Sequence, residues 1–181
     1  MLAADGNPSL LRAGSTAGEV LNTNSGPIAA GAIATDAASI LTLALTPSTL
    51  VELRPSTGLK IVALSMRKDG NETAYDSMRR RDAHGELKDG TIFGSQERPD
   101  VEAEPVLTID TAEGSLVSSF DSTFAMMRDQ RGTRVVCASG LLYFEPRGQR
   151  EAGELEGGSF GEWSADAGHV AAAESDAAAQ A

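Results

Sequence analysis

The sequence feature that most constrains the fold is the stretch 47–70, which reads PSTLVELRPSTGLKIVALSMRKDG. Two runs rich in aliphatic residues, 49–54 and 59–67, flank the turn sequence Pro-Ser-Thr-Gly, and Lys-Asp-Gly follows the second run. Proline sets φ for the second position of a turn, and glycine tolerates the left-handed region that turns use. The stretch therefore predicts two strands paired as a β-hairpin, and a chain built mainly from strands.

Alternating apolar residues predict further strands on both sides of this hairpin. In the segment 40–46, ILTLALT, period two favours a strand over the helix that a cap at Asp36 would start. The second half predicts four more strands, at 106–110, 115–120, 133–139 and 141–145. A helical turn is predicted at 123–128, and a surface helix or a long loop at 72–83. Short strands with glycine-marked turns indicate a β-sandwich or a barrel.

Composition divides the chain into three parts. Residues 1–38, rich in Ala, Gly, Ser, Thr and Asn, are predicted to form an extended N-terminal arm. Residues 39–146 are predicted to form the β-rich core domain. Residues 147–181 are dominated by Gly, Glu, Ala and Ser, which predicts an irregular acidic tail. The predicted fold class is mainly β, with a single sandwich or barrel-like domain between the arm and the tail.

Charge and cysteine content narrow the classes of function. The net charge of −11 argues against nucleic acid as a partner, because binding a phosphate backbone needs a basic face. One cysteine, Cys137, excludes an intrachain disulfide. No apolar run reaches the roughly 18 residues of a membrane span, and the first residues do not form a signal-peptide pattern. These features predict a virion or cytoplasmic location and no membrane partner.

One short motif resembles the nucleophile site of a hydrolase. Residues 157–161, GGSFG, match G-x-S-x-G, and Asp166 and His169 follow in the order of a catalytic triad. The hydrolase elbow needs a buried strand before its serine, whereas the preceding residues here are Glu-Ala-Gly-Glu-Leu-Glu. The motif is therefore interpreted as a glycine-rich acidic linker, with a small hydrolase as the least favoured function.

A second group of residues suggests a metal site. His84-Gly85-Glu86 matches half of the zinc-deaminase signature, but the other half needs two cysteines. A looser set of ligands consists of Asp82, His84, Glu86 and Asp89. Carboxylates in a polar loop are usually solvated, so the expectation is no metal, no cofactor, no small-molecule substrate and no enzyme.

Five residues are the candidates for binding a partner: Arg79, Arg80, Arg81, Phe160 and Trp163. The three arginines lie in a segment, 60–88, that carries seven basic and five acidic residues within an acidic chain. Arginine forms bidentate hydrogen bonds with carboxylates, so the run predicts docking on an acidic surface. The two aromatic residues stand in an otherwise apolar-poor segment, and such residues commonly anchor a flexible segment on a partner.

Together these features predict a structural, non-enzymatic subunit of a larger assembly. The predicted setting is a virus or phage particle, as a capsid, decoration or tail protein whose arm and tail become ordered on neighbouring subunits. Its partners would be further copies of itself or other structural subunits. The alternative is a soluble, β-rich binding or accessory module of a cellular complex.

Overall fold

The described part of the chain folds into strands, which confirms the mainly β prediction. The computed structural model describes residues 2–12, 15–22, 24–25, 28, 30–68, 78–98, 104–118, 121–148, 152–164 and 168–174. For residues 2, 68, 78–80, 104–105 and 168–174 the description covers the backbone alone. Within these ranges, no helix has the length and hydropathy needed to cross a membrane.

The described residues form sixteen strands. In the first half these are β1 (Leu2–Asp5), β2 (Ser9–Leu11), β3 (Glu19–Val20), β4 (Gly31–Ala34), β5 (Ile40–Thr46), β6 (Thr49–Leu53), β7 (Gly58–Lys68) and β8 (Met78–Gln96). In the second half they are β9 (Glu104–Asp110), β10 (Gly114–Ser118), β11 (Ser122–Asp129), β12 (Gly132–Ser139), β13 (Leu141–Pro146), β14 (Gly153–Glu156), β15 (Ser159–Ser164) and β16 (Gly168–Glu174).

The long strand β8 divides one large mixed sheet into two halves. Its first part pairs with β7 on one side and, in parallel, with β9 on the other. Its last part pairs with β6 and β11. Half A has the order β1-β5-β6-β8-β11-β12-β15-β16, and half B has the order β3-β2-β4-β7-β8-β9-β10-β13-β14. Apart from the β8–β9 pair, the paired strands are antiparallel.

The two halves share one hydrophobic core. Fully buried side chains come from both, with Leu53 and Phe124 in half A and Leu59 and Phe144 in half B. The ring of Phe144 stacks on that of Trp163 in half A, with ring centroids 3.9 Å apart. These contacts give the fold the layered arrangement of a sandwich, with β8 continuous through both layers.

The strands predicted at 49–54 and 59–67 are present, but the predicted pairing between them is wrong. β6 belongs to half A and β7 to half B, and each pairs with a different part of β8. The turn between them crosses from one layer to the other. Two hydrogen bonds hold this corner: the amide of Thr57 donates to Thr35 Oγ1 at 2.9 Å, and the amide of Thr91 donates to Thr57 Oγ1 at 2.9 Å.

Three other segments differ from the sequence predictions. Residues 123–128 lie in β11 rather than in a helical turn, because their side chains alternate and bury Phe124 and Met126. The strands β1, β2 and β4, within the predicted arm, pair with β5, β4 and β7 of the same domain. Within the predicted irregular tail, β14 pairs with β13 and β15 with β12. Of the surface helix or loop predicted at 72–83, residues 72–77 lie outside the described residues, and residues 78–83 belong to strand β8.

A buried ion pair joins the two halves at the β9–β10 turn. The Glu113 side chain is 7% exposed and accepts hydrogen bonds from Arg128 Nε at 3.1 Å and from Thr133 Oγ1 at 2.7 Å. Arg128 lies in β11 and Thr133 in β12, so one carboxylate from half B binds two strands of half A. Arg128 also donates to the backbone oxygen of Lys88.

Candidate interaction surfaces

An apolar row crosses the outer face of half A. Register places Phe93 beside Ala125, Ala125 beside Val136, and Val136 beside Phe160, on the adjacent strands β8, β11, β12 and β15. These residues face outward because their neighbours along each strand, such as Phe124 and Val135, fill the core. Phe93 is 44% exposed, and Leu50 on β6 of the same half is also 44% exposed.

Two ion pairs lie on this same outer face. Arg54, which directly follows β6, pairs with Glu52 at 2.9 Å, and its guanidinium lies 5.5 Å from the ring centroid of Phe93. Across β12 and β15, Arg134 pairs with Glu162 at 2.8 Å. The face, defined by the apolar row and these two pairs, is named the A face.

The structure separates the two aromatic residues that the sequence put forward together. Phe160 lies on the A face, half-buried, where a partner can reach it. Trp163 is 3% exposed and stacks on Phe144 of its own chain. In this conformation Trp163 is therefore a core residue and is not available as an anchor on a partner. The physical reason is alternation, since Gly161 and Trp163 point inward from β15 and Phe160 and Glu162 point outward.

The run Arg79–Arg81 lies at the start of strand β8, directly after Met78, at one end of half B. Register places Arg80 beside Arg67 of β7, and Arg81 beside Met66, which is 53% exposed. Among the described residues, the buried Nε atom of Arg81 has no hydrogen-bond partner. This end of β7 and β8 is named the basic end, and its role in binding remains a prediction.

The G-x-S-x-G motif forms a turn that crosses from half B to half A, because β14 pairs with β13 and β15 pairs with β12. Gly157 and Gly158 connect β14 to β15, and Gly158 has φ of 89°, which suits glycine. The Ser159 hydroxyl donates to the backbone oxygen of Glu156 at 2.6 Å. A nucleophile elbow joins a strand to a helix, whereas this turn joins two strands. Asp166 lies outside the described residues, and only the backbone of His169 is described.

His84 belongs to a polar cluster on the outer face of half B. Its Nε2 lies 2.7 Å from Asp110 Oδ2, and the Ser115 hydroxyl donates to Asp110 Oδ1 at 2.6 Å. Burial raises the pKa of Asp110, but the hydrogen bonds from Ser115 and His84 outweigh burial and hold it below its usual value. Both neighbours bind the carboxylate, so serine and histidine are not paired as nucleophile and base.

The structure also places two other candidate metal ligands, Asp82 and Glu86, and the one cysteine, Cys137. Asp82 and Glu86 alternate with buried residues on β8, on the same outer face as His84. In the part of the chain that the structure describes, no group of three His, Cys, Asp or Glu side chains is placed to hold a metal ion. Cys137 is buried in β12, and burial raises the pKa of its thiol, which disfavours the reactive thiolate.

Sequence reasoning missed Phe93 and Val136 as surface residues. Both stand in apolar runs, where strand periodicity predicts burial without showing which face is covered. Alternation along β8 was the signal that could have shown this. Ile92 and Gly94 flank Phe93, so both lie on the face of the strand opposite to Phe93. Neither residue carries a motif, so only the register across four strands brings them together.

Comparison with known proteins identifies the fold. No protein-family model matches the chain, and no curated protein matches it significantly. The chain is similar to two crystal structures of a protein from Parabacteroides distasonis ATCC 8503 described as a putative anti-sigma factor, with TM-scores of 0.55 and 0.56. Sequence identity is 14% and 13%, and each alignment covers 81% of this chain and 60% of the other. The chain therefore spans about three fifths of the length of these proteins.

These comparisons correct the predicted setting. The prediction of a virus or phage particle subunit, whether capsid, decoration or tail protein, is wrong. The two solved structures named above are each described as a putative anti-sigma factor, and neither as a particle component. At such low identity the likeness shows the fold, and it favours the alternative of a β-rich module in a cellular complex.

Proposed function

We propose that the chain is the β-rich, protein-binding module of a regulator of the anti-sigma type. The observation that carries the proposal is the shared fold, which extends over 81% of this chain at TM-scores of 0.55 and 0.56. A fold hosts many functions, so the proposal also needs support from the surfaces of the molecule. The class of partner is a sigma factor, or a protein that competes with one for this module.

The arrangement of the polar side chains supports binding rather than catalysis. Ser159 donates to its own turn, and Asp110 holds both His84 and Ser115. Among the side chains that the structure describes, neither serine hydroxyl donates to a histidine, as the hydroxyl of a serine nucleophile does. We therefore propose that the chain is not an enzyme and acts by occupying a surface of its partner.

We propose that the basic end is where the partner docks. Register places Arg67 of β7 and Glu104 of β9 on either side of Arg80, so two basic residues adjoin one acidic residue at this end of the sheet. A carboxylate-rich surface on the partner would match the remaining positive charge of the run Arg79–Arg81 by bidentate hydrogen bonds. Met66, exposed at the same end, adds apolar contact area.

The test measures binding of the purified chain to each sigma factor of its own organism by biolayer interferometry. We expect saturable binding to one of them. Replacing Arg79, Arg80 and Arg81 by Ala should slow association about tenfold and flatten its dependence on salt, because charges at the rim of an interface act mainly on the association rate. Folding of every variant is checked by circular dichroism.

The matched control removes three arginines elsewhere on the surface. The R12A/R98A/R131A variant changes the net charge equally but leaves the basic end intact, since Arg12, Arg98 and Arg131 lie on other parts of the surface. We expect it to bind like the unmodified chain. If no sigma factor binds the folded chain, the proposed function is overturned. If both triple variants slow association equally, the docking site is overturned.

A further inference from the structure

The A face leaves large apolar side chains in contact with solvent. Phe93 and Leu50 are each 44% exposed, and Ala125, Val136 and Phe160 continue the apolar surface across three more strands. Such a contiguous row, rimmed by charged residues, is typical of a protein interaction site. The guanidinium of Arg54 lies over the ring of Phe93, which still remains 44% exposed.

The charges on the A face point to the kind of partner. The chain as a whole carries a net charge of −11, which would repel a second acidic molecule. The centre of the A face is locally neutral, because Arg54 balances Glu52 and Arg134 balances Glu162. A neutral, apolar patch is the part of an acidic surface that another copy can approach with least repulsion, since charges beyond about 8 Å are screened at physiological salt.

The register of the strands makes the A face self-complementary. A two-fold axis that runs parallel to the strands, between β11 and β12, would set β8 of one copy over β15 of the other. Phe93 of one copy then meets Phe160 of the other, and Ala125 meets Val136, because all four lie in one row. An isologous interface requires that each contact occur twice, as these do.

The same axis also pairs opposite charges between copies. Arg54 lies in the row of Thr91, since its amide donates to the Thr91 oxygen at 3.0 Å. That row continues through Met127 and Arg134 to Glu162. Rotation about the axis places Glu162 of one copy over Thr91 of the other, one strand away from Arg54. A long arginine side chain spans that distance of about 5 Å.

We propose that the A face is the interface of a homodimer, with a two-fold axis parallel to the strands between β11 and β12. The five strands from β6 to β15 span about 20 Å, so the patch is at the small end of specific interfaces. Dissociation is therefore expected in the micromolar range. The dimer goes beyond the proposed function and leaves the basic end of each copy free for its partner.

The first test measures the mass of the full chain by sedimentation equilibrium over a concentration series. The unmodified chain should pass from monomer to dimer. The F93T/F160T variant, which introduces threonine, a β-branched residue favoured in strands, at both positions, should raise the dissociation constant at least tenfold. The matched control, V20T/V62T, changes two exposed residues of half B, 55% and 40% exposed, and should dimerise normally. A monomeric unmodified chain, or a dimer unaffected by F93T/F160T, overturns the proposal.

The second test is specific to the proposed axis. In a dimer of R54E chains, the introduced carboxylate would face Glu162 twice; in a dimer of E162R chains, the introduced guanidinium would face Arg54 twice. Each variant alone should remain monomeric where the unmodified chain dimerises. An equimolar mixture should dimerise again. In the heterodimer of R54E with E162R, position 54 meets position 162 twice, and both contacts join unlike charges. A mixture no more dimeric than either variant alone overturns this axis. The result is independent of sigma-factor binding, which is measured on the basic-end variants.

Discussion

At the scale of single residues, Glu113 carries the clearest electrostatic contribution to stability. Its carboxylate is almost fully buried, and Arg128 and Thr133 from the other half of the sheet bind it. Replacing Glu113 by Gln removes the charge and presents an amide donor to the Arg128 donors. We expect the free energy of unfolding to fall by about 2 kcal/mol, the usual cost of losing hydrogen bonds to a buried charged group. Urea denaturation at neutral pH measures this loss.

The same residue gives a prediction for pH. Burial raises the pKa of Glu113, but hydrogen bonds from Thr133 and Arg128 outweigh burial and hold it below its usual value of 4.5. A lowered pKa in the folded state stabilises the fold above pH 4.5, and this stabilisation is lost as the pH falls through the lowered pKa. The stability difference between the unmodified chain and E113Q should therefore shrink in acid. A difference that stays constant from neutral to acid pH contradicts this account.

At the scale of strands, the sequence predicted which segments are extended better than which segments pair. Alternation located β5, β6, β7, β9, β10, β12 and β13. The predicted pairing of β6 with β7 is wrong, because the turn sequence Pro-Ser-Thr-Gly suits a hairpin and a crossing between layers equally well. Whether the flanking strands pair is decided by β8, which is long enough to bind β6 and β7 in succession. That is a long-range choice that local propensity does not encode.

The role of β8 as a shared strand gives a prediction at this scale. A Cβ added at Gly94 would overlap the ring of Phe124, its fully buried cross-strand partner. G94A should therefore lower the free energy of unfolding by about 1–3 kcal/mol, as overpacking of a core does. Gly153 is the control, since a Cβ there would lie 3.5 Å from Trp163, an ordinary contact. G153A should cost nothing measurable in urea denaturation. Equal losses in both variants would show that overpacking against Phe124 is not the cause.

At the scale of the whole molecule, the candidate surfaces were less predictable than the fold. The run Arg79–Arg81 and the residue Phe160 stand out in the sequence, and the structure places them on different halves of the sheet. Trp163 was assigned to a docking segment because its neighbours are glycine and glutamate, a composition typical of irregular tails. The alternation in Gly161-Glu162-Trp163 was the signal for a strand, and the stacking on Phe144 makes that strand part of the core.

This arrangement predicts that the β-rich region 39–146 does not fold stably without the segment that follows it. A chain that ends after Gly148 lacks β14, β15 and β16, and so loses the buried side chains of Leu155 and Trp163. Loss of a buried tryptophan alone costs about 3–5 kcal/mol, a large part of the stability of a typical domain. We expect the truncated chain to show no cooperative unfolding transition by circular dichroism. A chain that ends after Glu174 keeps all three strands and should unfold with the midpoint of the full chain. If the chain ending after Gly148 instead unfolds cooperatively at the full-length midpoint, the core is complete by residue 148, and the stack of Trp163 on Phe144 is dispensable.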